Sequence, residues 1–341
     1  MLSCQLILMK PKCQINYIGS KYRLLDFIHQ TIKETVPDLE QQVFCDLFAG
    51  TGIVGRFFKP HVQSVIANDI EYYSYVFCRN YIRNNQHFPH VDRLKYLNEL
   101  PGVEGFIFNN YCVGGSERMY FSDENGKKID AIRMEIERWL SSGAINDNEY
   151  YFYLCSLLEA ADCVANTASV YGAFLKKFKK TAIRTMQLHA PEFTINDGSN
   201  IAYNQDANEL IHHIEGGILY LDPPYNQRDY GANYHLLNTI AKYDEFLPRG
   251  KTGLREYERS TYCSKKTVPE SLDEIISAAK FNYIFLSYNN EGLLSFEEIQ
   301  KIMEKYGKYD MREKDYSRFK ADSKRDYKGT STQEFLHILS R

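Results

Sequence analysis

Val43-Phe44-Cys45-Asp46-Leu47-Phe48-Ala49-Gly50-Thr51-Gly52 is the stretch on which the fold turns. Its first half is a short apolar run of the kind that forms a buried strand, and its second half is a glycine-rich turn. Glycines directly after such a strand let the backbone approach a ligand where a side chain would clash. Gly50, Gly52 and Gly55 spell G-x-G-x-x-G, and Asp69 follows Gly52 by 17 residues, just past a second apolar run, Ser64-Val65-Ile66-Ala67. An acidic residue so placed can hold the ribose hydroxyls of either NAD or S-adenosylmethionine. The motif alone does not choose between them.

Upstream, apolar residues at 24, 25, 28, 32 and 36 predict a helix over 21–36, stopped by Pro37. Downstream of Asp69 a helix is expected to about Asn84. The alternation then breaks: residues 86–199 are polar, mixed in charge and helix-leaning, notably at 130–140 and 149–165. Apolar runs at 218–221 and 283–287 resume the sheet, and a helix at 296–306 and a strand at 335–339 follow. The expectation is an α/β, Rossmann-like, doubly wound and mostly parallel sheet. Residues 1–85 and 200–341 would form the catalytic domain, and 86–199 a mainly helical insertion.

Composition narrows the class. With 341 residues, 44% hydrophobic and 25% charged, the chain is ordinary for a globular protein. A net charge of −3 gives no overall footprint for nucleic acid, so such a partner needs local basic patches. The eight cysteines show no C-x-x-C pair and no histidine at ligand spacing, which argues against a metal site and for free thiols in a reducing cytosol. The apolar patch Leu6-Ile7-Leu8-Met9 is too short for a membrane span, so a soluble intracellular protein is expected.

Asp222-Pro223-Pro224-Tyr225 selects the chemistry. The loop follows a buried strand, so it should face the same crevice as Gly50 and Gly52. An exocyclic amine is a poor nucleophile because its lone pair is delocalised into the ring. The Asp222 carboxylate and the Pro223 carbonyl can each accept an N–H bond from it, favouring a pyramidal nitrogen. The two prolines stiffen the loop and remove competing donors, and Tyr225 offers a face for the base. Lys21, after Tyr17-Ile18-Gly19-Ser20, could meet a carboxylate or phosphate. Asp206 opens a predicted helix, where capping is the default role.

The order Tyr17-Ile-Gly-Ser-Lys21, Asp46 to Gly52, Asn68-Asp69, Asp206 and Asp222-Pro-Pro-Tyr225 resembles the Dam-like (D12) class of adenine-N6 DNA methyltransferases, of the α group. The resemblance implies a Rossmann-like fold, S-adenosyl-L-methionine as cofactor without a metal, and an inserted target-recognition region. It also implies cofactor contacts at Tyr17, Lys21, Phe48, Asp69 and Asp206, and catalysis by residues 222–225. The partners expected are double-stranded DNA and a cognate restriction endonuclease. Lys176-Lys177-Phe178-Lys179-Lys180, with Arg184 and no acid nearby, is the first candidate for phosphate contacts. The stretch from Arg249 to Lys266 is the second. Alternatives are transfer to N4 of cytosine, to adenine in RNA, a nicotinamide-dependent oxidoreductase, or a non-catalytic DNA-binding module. Asp at 222 leans toward adenine, and the intact 222–225 loop argues against the last.

Overall fold

The strand β1 (Val43–Asp46) is buried from Phe44 to Asp46, and apolar apart from Asp46, because both faces are covered. Phe44 stacks on Phe58 at 4.3 Å on one side, while Cys45 and Leu47 enter the main core cluster on the other. The computed structural model describes residues 15, 17–225, 227, 229–317 and 331–341; the 6–9 patch, Cys4 and Cys13 lie outside them. β1 is flanked in parallel by β2 (Ser64–Asn68) and, after β3 (Ile201–Tyr203), by β4 (Glu215–Leu221). With β5 (Lys280–Asn289), β6 (Lys308–Ser317) and β7 (Ser331–Ser340), the sheet has seven strands among the described residues, in the order β3-β2-β1-β4-β5-β7-β6. The first five are parallel, and β7 runs antiparallel to both β5 and β6.

The expected α/β doubly wound sheet is therefore present. On one face Leu219, Leu221, Ile284 and Leu286 pack with Leu272, Ile275 and Ile276 of helix Val268–Ala278 and with Ile299 and Met303 of helix Phe296–Met303. The helix expected over 21–36 forms as a 3-10 turn, Lys21–Leu24, followed by Leu25–Thr35. Two strands are not foreshadowed in the sequence. β3 has three residues, too few for a period, and β6 is a sheet edge of mixed charge, so neither carries the apolar run that marks the central strands.

The chain divides into two units. One, residues 19–78, 194–229 and 258–341, carries the sheet. The other contains 79–193 together with 230–257, and is helical. The expected catalytic domain included 230–257, whereas this division groups the segment with the helices, to which buried side chains tie it. Arg133, on helix Asp123–Ser141, donates to the carbonyls of Ile240 and Ala241 at 3.1 Å each. Asp130 accepts from the Tyr243 hydroxyl at 2.6 Å, and Tyr111 donates to the Gly253 carbonyl at 2.7 Å. A helix is assigned to a layer by such ties, which spacing in the sequence does not reveal.

Cys45, Cys78, Cys112, Cys155 and Cys263 carry free thiols, whereas Cys163 is disulfide-bonded, a departure from the all-thiol expectation. Among the described residues no helix is long and apolar enough to cross a membrane.

Candidate active site

From β1 the chain winds outward through β2 and β3, and from β4 it winds the other way through β5. A crevice for ligands opens at such a reversal, beyond the carboxyl ends of the strands. Asp46 lies opposite Tyr220, so the loop that begins at Leu47 and the loop that begins at Asp222 emerge side by side.

The first loop is held by its own carboxylates. Asp46 is buried and accepts from the Gly55 N–H at 2.9 Å, pinning the turn to the helix Ile53–Phe58. Gly50 and Gly52 have φ of 55° and 72°, a region that favours glycine. Asp69 accepts from the Gly50 N–H at 2.7 Å and from the Glu71 N–H at 2.9 Å. With the Ser74 hydroxyl beside it as well, the carboxylate still has acceptor capacity for a ligand hydroxyl. Phe48 is half-buried, edge-on to Tyr262 at 5.0 Å.

Asn68, part of the sequence pattern but with no task assigned by it, joins three loops. Its amide nitrogen donates to the carbonyls of Leu47 and Gln205, and its oxygen accepts from the Gln205 N–H at 3.1 Å. Asp206 follows. It caps helix Ala207–Leu210, accepting from Asn208 and Glu209 N–H groups, both through Oδ1, and it is exposed.

The second loop is built on a buried ion cluster. Lys21 Nζ lies 3.0 Å from Asp222 Oδ1 and 2.9 Å from Glu334 Oε1. The Lys21 and Glu334 side chains are 3% and 1% exposed, whereas Asp222 keeps 18%, so it is the member of the cluster that a ligand can reach. Two of the three ammonium donors are thus engaged by carboxylates. The same Nζ lies 5.1 Å from the centre of the Tyr225 ring, which also tilts against Tyr288 at 5.4 Å. The Tyr225 carbonyl accepts from the Leu293 N–H at 3.0 Å, fixing the end of the loop.

Burial dominates the electrostatics. It pushes the Asp46, Asp69 and Asp222 carboxyls each up to about 7. Asp222 and Asp69 push Asp46 further up, while Lys21 pulls Asp222 down and Glu334 pushes it up. Burial also works against the Lys21 charge, but Asp222 and Glu334 outweigh it and hold that ammonium well above its usual value.

Other predicted residues fall in the helical unit. Tyr17 stacks on Tyr234 at 4.9 Å and tilts against Tyr230 at 5.3 Å. Lys176, Lys177 and Lys180 are exposed, in irregular backbone rather than on a helix. Lys179 instead turns back: its Nζ donates to the Thr167 carbonyl at 2.9 Å, and its N–H to Asn166 Oδ1 at 3.0 Å. In the rival stretch, Arg249 is paired with Glu256 at 2.6 Å and Arg255 with Asp244 at 2.8 Å, so two of its cations are already compensated.

A family model described as "D12 class N6 adenine-specific DNA methyltransferase" matches residues 17–307. Similar proteins include the type II methyltransferase M.NlaIII of Neisseria lactamica, 56% identical over 96% of this chain and 99% of that protein. The type II methyltransferase M.CviAII of Paramecium bursaria Chlorella virus 1 is 38% identical over 96% and 98%. The type II methyltransferase M.FokI of Planomicrobium okeanokoites is 42% identical, with this chain spanning 53% of its length.

Proposed function

The chain belongs to the D12 class of N6 adenine-specific DNA methyltransferases, and on that premise we propose which of its residues bind S-adenosyl-L-methionine and which act on the adenine of double-stranded DNA. The observation that carries the reading is the placement of the Asp222 loop beside the Gly50–Gly52 loop at the carboxyl ends of β4 and β1. The cofactor, when bound, supplies an electrophilic methyl group on a sulfonium. The Gly50 and Gly52 backbone gives it close approach, and the nearby carboxylates suit a ligand rich in donors and positive charge. Asp69 accepts from the ribose hydroxyls, Asp206 accepts from the cofactor's adenine amine through Oδ2, and Phe48 lines the adenine. Asp46 shapes the loop through Gly55, and Tyr17 and Lys21 complete the expected set.

The target adenine leaves the stack, because its amine is inaccessible inside a duplex. The Asp222 carboxylate and the Pro223 carbonyl accept its two N–H bonds, Pro224 stiffens the loop, and Tyr225 stacks on the ring. Transfer to nitrogen would be direct: the N6–methyl bond forms as the sulfonium–methyl bond breaks, the bond pair stays on sulfur and the amine gives up one N–H proton, so the rate comes mainly from positioning. Incubation with labelled cofactor and duplex DNA, followed by nucleoside analysis, tests this. With RNA tested in parallel, N6-methyl-2′-deoxyadenosine is the expected product; N4-methyl-2′-deoxycytidine, or labelling of RNA alone, would overturn it. The names of the relatives favour a role beside a cognate endonuclease, in the cytoplasm where the DNA lies.

Two outcomes follow from the geometry. Asp69→Ala should weaken cofactor binding by about 1–3 kcal/mol, the cost of leaving buried hydroxyls without an acceptor, with DNA affinity unchanged. Calorimetry reads this directly, and an unaltered cofactor dissociation constant would make Asp69 solely a clasp for Gly50. Replacing Lys176, Lys177 and Lys180 by Gln should reduce the slope of log DNA affinity against log salt by about 0.9 for each phosphate no longer neutralised. Adding Lys179→Gln should change little more, since that ammonium is turned onto Thr167. An unchanged slope in the triple variant would show these lysines to be only solvated.

A further inference from the structure

Glu334 lies in β7, far along the chain from every motif that carries the family pattern, yet its side chain reaches the heart of the site. Its carboxylate accepts from the Ser287 hydroxyl on β5 and takes the Lys21 ammonium at 2.9 Å. The same ammonium also rests on Asp222 at 3.0 Å. A buried ammonium of this kind is costly unless its partners fix it. With one carboxylate on β7, inside the sheet, and one on the reacting loop, Lys21 cannot leave either without breaking an ion pair. Ser287 fixes the Glu334 rotamer in turn, since β5 and β7 are in register, with Ser287 opposite Leu336.

We infer that Glu334 is a positioning residue for methyl transfer, holding the Lys21 ammonium against the Asp222 carboxylate on which the target amine is received. This rests on the role given to Asp222 above. Asp222 feels the charges of Lys21 and Glu334, the Tyr220 side chain and the Asp46 carboxylate, while the Tyr225 ring lies against the Lys21 ammonium. Its charged form is what the amine requires, and its carboxyl in the ligand-free protein is pushed up to about 7. With saturating cofactor, so that Asp69 is occupied, the wild-type kcat/KM for DNA reports the enzyme before DNA binds and should fall as the pH drops through about 7. Removing the Glu334 charge removes an anion that disfavours ionised Asp222, so the acidic limb should move to lower pH. Removing the Lys21 charge should move it up.

The test is the pH dependence of kcat/KM for the full-length wild-type, Glu334→Gln, Glu334→Asp and Lys21→Met proteins, with cofactor affinity measured on each. Glu334→Gln should lower the acidic limb by about 1 pH unit, as expected for a charge within a few ångströms. Its kcat at the new optimum should fall, because Lys21, still paired with Asp222, is no longer tied to β7 and no longer fixes the aim of the carboxylate, and cofactor affinity should stay within about twofold. Glu334→Asp keeps the charge but draws it back, so its limb should shift less than that of Glu334→Gln. Should Glu334→Gln fail to fold, a Glu334→Asp limb displaced toward lower pH supports the inference in its place. Limbs coincident with wild type in every folded Glu334 variant would overturn the inference, leaving Glu334 a structural residue. Asp222→Ala in the same assay separates the two failures. If Asp222→Ala is inactive while the Glu334 limbs do not move, only this inference fails; if Asp222→Ala remains active, the reading beneath it fails as well.

Discussion

Asp222→Ala is expected to lower methyl transfer by about a hundredfold or more while leaving S-adenosyl-L-methionine binding nearly intact. The loss is of the size seen when one preorganised hydrogen-bond partner of a transition state is removed. Asp222 is the reachable member of the ion cluster, and its partner Lys21 would then rest on Glu334 alone. The interaction matters most as the amine becomes pyramidal, so the effect belongs in kcat rather than in ground-state affinity. Asp222→Asn should recover part of the loss, since the amide oxygen still accepts one bond. Single-turnover kinetics with saturating cofactor measure both. Turnover of Asp222→Ala within tenfold of wild type would remove Asp222 from the reaction.

Tyr225 carries the second large effect. Tyr225→Ala should lose about 1–3 kcal/mol of transition-state stabilisation, the usual worth of one base–aromatic stack, whereas Tyr225→Phe should keep most activity. The ring is half-buried, tilted on Tyr288 and close to the Lys21 ammonium, so its position is set by the protein and does not depend on the base. Comparison of kcat/KM on a duplex and on one with a mismatch opposite the target adenine separates stacking from flipping. A Phe variant as impaired as the Ala variant would assign the work to the hydroxyl and refute the stacking role.

Central strands and their loops are legible in the sequence because they are local. The run from Val43 to Phe48 is apolar apart from Asp46 since β1 is covered on both faces, and the glycines after it stand where φ is positive. The 222–225 loop is legible for the same reason: a buried strand, then residues whose chemistry is in their own side chains and carbonyls. Asp206 reads both as a helix cap and as an acceptor, and the cap is what its Oδ1 does. β6 gives no signal, because an edge strand of mixed charge gains its structure only by pairing with β7.

By itself the sequence determined the parallel core, the order of the motifs and, through their resemblance, the chemistry, because each is encoded in a contiguous stretch with its own period or side-chain types. Tertiary structure alone decided the partners of Lys21, the inward turn of Lys179 and the attachment of residues 230–257 to the helical unit. Each of these depends on a buried charge or donor finding an acceptor far away in the chain. The free-energy cost of leaving such a group unpaired selects the fold in which they meet, but nothing local in the sequence names the partner: Glu334 lies more than three hundred residues from Lys21 and joins it only because β7 inserts beside β5.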